Sequence, residues 1–455
     1  MDGYVPSLRG LRAEDVEAFI GIEGYSTSSP GIGGIVKLKP EDFQAWEVLD
    51  NGLDARRCFE EGLPIDSSGG LLLAVMWKRG IDSIRATSII AKELGLKPNM
   101  IGICGIKDKM SISWQFISLP QTTLEVEKTY EITDSIKIRA IGYIDKRLTS
   151  KRLLHNRFRI IIRRARAIPE AINNTLRQLG ERGIPNFFGH QRFGITRPIT
   201  PIVGKLIMEG RLEEAVSAFI ADYSPLEDEK NRDARRRLLD EWDIASALNY
   251  YPRTLRYERR VMRYLLEHEG DYLGALRSLP LRLRRILVES VSSLIFNKTL
   301  SRLLRENPSL KTPEIGDLAA HVGLGGRIEK ERVVRIREGN LKQVERLIKD
   351  GRMVIVLPVP GYASRIPNSR KGEVLRNVME EAGVSRDMFN VRHMPEVSTR
   401  GGLRPITIPR WSCRVMKVSE DVVELEITLP PGSYATILLR EIMKPHTPLA
   451  YIGKT

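Results

Sequence analysis

Cysteine is nearly absent from this chain. Cys58, Cys104 and Cys413 are the three in 455 residues, odd in number and far apart. With no C-x-x-C spacing, a disulfide framework and a cysteine zinc site are both excluded, and a reducing cytoplasm is the simplest expectation. The six histidines are scattered and no H-E-x-x-H occurs, so no metal site is expected. Long apolar runs are missing too. The longest, 71–77, is strand-sized, against the roughly 18 residues a membrane helix needs, so no membrane partner is expected. The amino terminus has no basic start followed by an apolar stretch, and no signal peptide is expected there. There is no G-x-x-x-x-G-K-[ST] and no G-x-S-x-G. The glycines at 31–37 and 323–327 lack the strand–helix setting of a dinucleotide site, so no cofactor is expected.

What the chain has is positive charge. Lys plus Arg number 72 against 57 Asp plus Glu, a net +15, which favours a polyanionic partner, nucleic acid being the usual one. The competing reading is a charged surface with no such partner. The length allows about two to four domains. Mixed strand and helix are expected up to about residue 180: strands at 35–38, 71–77, 101–104, 130–132, 136–144 and 158–162, and a helix capped by Asp82, closed by Gly95 and striped by Ile84, Ser88, Ala91 and Leu94. Arginine-crowded helices follow at 211–219, 229–247 and 253–268, then a long one at 281–306. A strand at 353–359 and a helix over 372–383 come next. In 422–432, Val423, Leu425, Ile427 and Leu429 alternate with polar residues, the pattern of a half-buried strand.

The stretch GICGIKDKMSISWQF, 102–116, sets Asp108 between Lys107 and Lys109 on a loop between two short apolar runs. A carboxylate can act as nucleophile or base. Flanking ammonium groups favour its ionised form and could also contact phosphates. An isolated K-D-K is more often a solvated turn, so this triplet assigns no role by itself.

Several stretches together resemble the TruD family of pseudouridine synthases. GIKDKMSISWQ (105–115) is similar to the family's Gly-x-Lys-Asp-Lys-x-Ala-x-Thr-x-Gln, whose Asp is catalytic. NFFGHQRFG (186–194) is similar to its aromatic-Phe-Gly-x-Gln-Arg-Phe-Gly, HNRFRI (155–160) to Gly-Asn-x-Phe, and KLKPEDFQAWEV (37–48) to the amino-terminal Lys-x-x-Pro-Glu-Asp-Phe. SSLIFN (292–297) and LPPGSYATILLREIMK (429–444) also match, in order. Ser111 and Ser113 replace the usual Ala and Thr. His155 replaces a Gly, which matters if the backbone there needs positive φ.

The resemblance implies an α+β fold. A pseudouridine-synthase catalytic body with a mixed, largely antiparallel sheet flanked by helices is expected from 1–185 and 397–455, with a helix-rich inserted α/β domain at 186–396 and the RNA in a cleft between them. It implies isomerisation of uridine in tRNA, at position 13 of the D arm, by a cytoplasmic enzyme that needs no cofactor and works as a monomer. Asp108 would be catalytic. Phe158, Asn156, Lys37 and Lys107 would support the target base and the site. Lys109, Arg152, Arg157 and Arg192 would contact RNA; the arginines of 146–166 could form a phosphate track on one strand face. Glu41, Asp42 and Glu47 read as structural or solvated. Tyr434 and Arg440 read as structural, in a strand closing the sheet. The rival is a non-catalytic RNA-binding or chaperone protein on the same scaffold, which would not need Asp108 or Asn156. A methyltransferase is disfavoured because no glycine-rich cofactor loop sits in a suitable context.

Overall fold

The computed structural model describes residues 8–63, 69–120 and 124–454; the amino-terminal stretch 1–7 and the expected lead-in to the 71–77 strand at 67–68 lie outside them. The described residues contain fourteen strands. They are β1 (Gly33–Ile35), β2 (Phe43–Leu49), β3 (Leu71–Arg79), β4 (Gly102–Ile103), β5 (Ile112–Pro120), β6 (Thr129–Thr133), β7 (Ile136–Ile144), β8 (Leu153–Ala165), β9 (Leu318–Val322), β10 (Ile328–Arg335), β11 (Met353–Val359), β12 (Gly402–Pro405), β13 (Ser412–Ser419) and β14 (Val422–Leu429). Ten form one sheet in the order β13-β14-β8-β2-β5-β3-β7-β6, with β1 added to β8 and β4 to β5. The β2–β5 contact is parallel and the other pairings in that sheet are antiparallel. This is the α+β arrangement of a mixed sheet flanked by helices.

Alternation along β8 explains its central place. Phe158, Ile160 and Ile162 face one side and are buried, while Arg157, Arg159 and Arg163 face the other. The buried side is covered at its β8–β14 end by helices Pro169–Arg182 and Ala435–Met443, whose Ile172, Leu179, Ile437 and Leu438 share a cluster with Ile160, Leu425 and Ile427. On β3 and β7 it is covered by helix Ser83–Glu93. Over the middle strands, β2 and β5, the inward positions turn polar: Glu47, Ser113 and Gln115 are fully buried. Glu47 and Gln115 are hydrogen-bonded there, and this is where the Asp108 loop lies.

Between β8 and β9 runs a series of helices from Thr200–Glu209 to the 26-residue Leu281–Glu306. A second sheet, ordered β10-β9-β11-β12, is antiparallel throughout. Strand β12 pairs with β11, and the chain re-enters the large sheet at β13. One apolar cluster joins the two sheets, running from Ile160 and Ile427 through Leu300 and Leu304 to Ala319, Ile355 and Leu357.

Four expectations are corrected. The span 229–247 is two helices, Glu229–Glu241 and Ile244–Tyr250, broken where Trp242 takes φ +47° and Asp243 caps the second. The strand expected at 35–38 stops at Ile35, because Lys37 adopts φ +62°. The stripe of the helix after Asp82 is rotated: Ala86, Thr87, Ile90 and Ala91 are buried and Ile84 is exposed, since an apolar residue in the first turn need not face the core. The 429–444 motif ends β14 and then forms helix Ala435–Met443, not a strand. All nine of that helix's residues are buried, Thr436, Arg440 and Glu441 among them, so polar and apolar positions do not divide into an outer and an inner face that would separate helix from strand.

Candidate active site

Asp108 sits on the irregular loop between β4 and β5. Its partner is neither neighbouring lysine. Lys37, 71 residues earlier, places Nζ 2.6 Å from Asp108 Oδ2. The lysine is buried, whereas the aspartate keeps 39% of its side chain exposed, so the carboxylate is anchored on one side and open on the other. Lys37 reaches it from the left-handed backbone region, at φ +62°, which costs about 1 kcal/mol for a residue other than glycine. Strain of this kind gathers at functional sites. The Lys37 ammonium also stands 4.3 Å above the Phe43 ring, and Phe43 meets Phe158 edge-on at 5.8 Å between ring centres.

Lys107 turns inward. Its Nζ is 2.7 Å from Glu47 Oε1, and the other Glu47 oxygen accepts from the Phe116 backbone N–H at 3.1 Å. Gln115 Nε2 donates to Glu47 and to the carbonyl of Gly105. Ser83 accepts from the Lys107 N–H at 2.8 Å and bonds Gln115 Oε1. A buried ion pair is tolerated only with such further bonds, and here they fasten the loop to β2, β5 and the start of a helix. Lys107 is thus spent on Glu47, and Glu47, read from sequence as structural or solvated, is wholly buried beneath the loop. Behind the loop, Lys78 on β3 is fully buried and donates to the carbonyl oxygen of Asp108 at 2.8 Å. Burial lowers its ammonium to about 8.

Asn156 and Phe158 lie on the same face as these groups. In the pairing of β8 with β2, Asn156 is opposite Glu47 and Phe158 opposite Ala45. Asn156 Oδ1 is shielded and has no hydrogen-bond partner. Phe158 is 8% exposed and part of the core. His155 pairs with Val48 beside a shift of strand register and is not a positive-φ residue, so no left-handed backbone is asked of it in place of glycine; burial, then Arg157, lowers its pKa.

The arginines expected to contact RNA each meet a carboxylate of the protein. Arg157 faces the opposite side of the sheet, 2.9 Å from Glu426 and 3.3 Å from Asp54, against the Trp46 ring. Arg159 and Arg163 on that side meet Glu424 and Asp42. Arg152 pairs with Asp50. Arg192 bonds Glu289 on helix Leu281–Glu306 at 2.8 Å. Lys109 is exposed at the loop tip, between exposed Ile106 and Met110 and beside Asp108.

A cleft of about 340 Å³ opens where β14 ends, lined among others by Phe188, Arg327, Lys330, Arg404 and Pro430. Leu429, just before it, pairs with Asn156, so the cleft adjoins the Asn156 end of the site. No carboxylate is among its described lining residues. Arg404 stacks 4.1 Å from the Phe188 ring and holds Asn186. Phe188 is fixed through its backbone by Asn297. Gly189 beside it admits no side chain, because a Cβ would lie 2.7 Å from the Tyr434 ring. Arg404 and Lys78 carried no sequence signal beyond being basic; Lys78, a lysine inside an apolar strand, could have been flagged as a buried charge.

Comparison with known proteins adds three findings. The family model described as tRNA pseudouridine synthase D (TruD) matches residues 19–442. Relatives described as probable tRNA pseudouridine synthase D include that of Methanosarcina mazei, 32% identical over 445 residues and covering 95% of this chain and 98% of the relative. That of Pyrococcus furiosus is 34% identical over 422 residues, covering 92% and 98%. A crystal structure of the candidate TruD protein of Methanosarcina mazei superposes with a TM-score of 0.75 at 30% identity, covering 97% of this chain and all of that one.

Proposed function

This chain belongs to the TruD family of tRNA pseudouridine synthases, isomerases that act on tRNA, and on that premise we propose that Asp108 is its catalytic carboxylate and that the target is the uridine at position 13 of the D arm. The observation that carries the assignment is the Lys37–Asp108 pair: a carboxylate fixed at 2.6 Å by a buried ammonium yet still open on its other side. The reaction breaks the C1′–N1 bond, turns the base and rejoins it through C5. No electrons leave and no co-reactant is consumed. A carboxylate beside the sugar can attack C1′ or remove a sugar proton, and either role needs it ionised and held.

The uridine must leave its stack to be reached, at a cost of a few kcal/mol. The sheet face beside Asp108 offers Asn156, whose unpartnered Oδ1 suits the N3–H of uracil, with Phe158 and Phe43 as the apolar wall. Lys37 holds the carboxylate, and Lys107 holds the loop through Glu47. The basic cleft lined by Arg327, Lys330 and Arg404 takes the RNA backbone next to it, with exposed Lys109 at the loop tip contributing to the same attraction. Arg152, Arg157 and Arg192 have carboxylate partners of their own and act mainly within the protein. The body contributed by the two chain ends and the insertion from about 186 to 405 form the two walls. The enzyme works as a monomer in the cytoplasm.

The test is incubation with unmodified tRNA without added cofactor, followed by mapping of pseudouridine. Asp108→Asn abolishes product at position 13 and leaves tRNA affinity within about twofold. Normal turnover by that variant refutes the assignment, and product at a different position refutes the D-arm target alone. If the wild-type protein binds tRNA and forms no product, the non-catalytic reading replaces this one.

A further inference from the structure

We propose that Lys78 and Ser111 together clamp the peptide oxygen of Asp108, which makes Lys78 a positioning residue for the isomerisation. The inference rests on the reading of Asp108 as the catalytic carboxylate. Lys78 lies near the end of β3, on the sheet face that packs helix Ser83–Glu93. Its side chain is fully buried. Nζ donates to the carbonyl oxygen of Asp108 at 2.8 Å and to that of Ile81 at 2.8 Å. Ser111 Oγ donates to the same Asp108 oxygen at 2.7 Å. Two side-chain donors, Lys78 from β3 and Ser111 from the loop itself, thus meet on one peptide group of a loop that has no sheet or helix ladder of its own.

A buried ammonium is expensive, and it normally sits against a carboxylate. Lys78 has backbone carbonyls instead. The charges that face it are Asp108 and Asp82, which favour its ammonium, and Lys107 and Lys37, which oppose it; its strand neighbours Ser113 on β5 and Ile136 on β7 are uncharged. Placing a lysine here makes sense if the bonds must be strong, since a charged donor roughly doubles a hydrogen bond. Fixing the peptide at 108 fixes where the side chain leaves the backbone. That keeps the carboxylate within 2.6 Å of Lys37, and catalytic geometry is sensitive to displacements of about 1 Å.

The experiment compares Lys78→Met, Ser111→Ala and Asp108→Asn on unmodified tRNA, with tRNA affinity and thermal unfolding measured on each. Lys78→Met is expected to lower kcat at least tenfold and Ser111→Ala about threefold, both with affinity within twofold. Wild-type kcat should fall as pH rises past 8, where the ammonium is lost, and that decline should vanish in Lys78→Met. A purely structural lysine would lower the folded fraction without altering the pH profile of the folded enzyme. Folded Lys78→Met with kcat within twofold of wild type overturns the proposal. If Lys78→Met does not fold, unchanged kcat in folded Ser111→Ala overturns it. Should Asp108→Asn turn over normally, the Asp108 reading itself fails; an inactive Asp108→Asn beside fully active Lys78→Met and Ser111→Ala sinks the clamp alone.

Discussion

Replacing Lys37 by methionine probes the site most directly. The substitution keeps the length and apolar body of the side chain and removes the charge. At 2.6 Å the gross attraction between unit charges is about 6 kcal/mol at an effective dielectric constant near 20. Most of that is offset by desolvating Lys37, which is 3% exposed. A hydrogen bond to a charged group contributes about 1.5–3 kcal/mol net. If that bond orients the reacting carboxylate, its loss corresponds to a rate decrease of about 10–150-fold. The left-handed backbone at residue 37 costs the same in both proteins and cancels. The lost cation–π contact with Phe43, about 0.5–2 kcal/mol, is partly replaced by the methionine sulfur, so stability should change by about 1 kcal/mol. The assay is single-turnover formation of pseudouridine in unmodified tRNA, with affinity measured separately. A rate within twofold of wild type refutes the reasoning. A rate loss matched by an equal loss of affinity refutes it differently, by making Lys37 an RNA contact.

Other predictions follow from the same geometry. Phe158 is core as well as the proposed wall for the target base, so Phe158→Ala should cost about 3–5 kcal/mol in chemical denaturation, and Phe158→Leu is the variant whose kinetics can be interpreted. Lys78 should give opposite pH trends in stability and activity: with its ammonium at about 8 when folded and near 10.4 when unfolded, the unfolded chain holds more protons between these values. Stability should therefore rise with pH across that window by up to about 3 kcal/mol, a gain absent in Lys78→Met. Glu17 is lowered to about 2 although burial alone would raise it, because Arg440 and His190 outweigh burial. Its contribution, on the order of 3 kcal/mol, is present above about 4.5 and lost as pH falls through about 2; acid titration of Glu17→Gln should lack that step.

Much of the fold could be read locally. Helix Leu281–Glu306 and strand Met353–Val359 have the expected bounds, because their patterns are long or strongly apolar. Asp82 does cap its helix, accepting from Ile84 and Arg85. What failed was long-range. Alternation along β8 says that its arginines share a face but not which face, and their carboxylate partners come from β14, from the segment before β2 and from the Asp54 cap. The motif around Asp108 located the carboxylate. It could not say that Lys107 points away and that Lys37 replaces it, since the choice depends on Glu47 lying buried beneath the loop. Lys78 was open to notice as a lysine at the end of an apolar strand, but nothing local says that its ammonium meets the carbonyl of Asp108, 30 residues later.

The apolar cluster that joins the two sheets bears on how a folded RNA gains entry. A core shared in this way resists sliding or hinging, which would expose Leu300, Ile355 and Ile427 to water, so the proposed RNA cleft should keep a nearly fixed gape. Any bending or opening needed for docking then falls to the nucleic acid, and a tRNA already loosened around its target uridine should be handled faster than a rigid one.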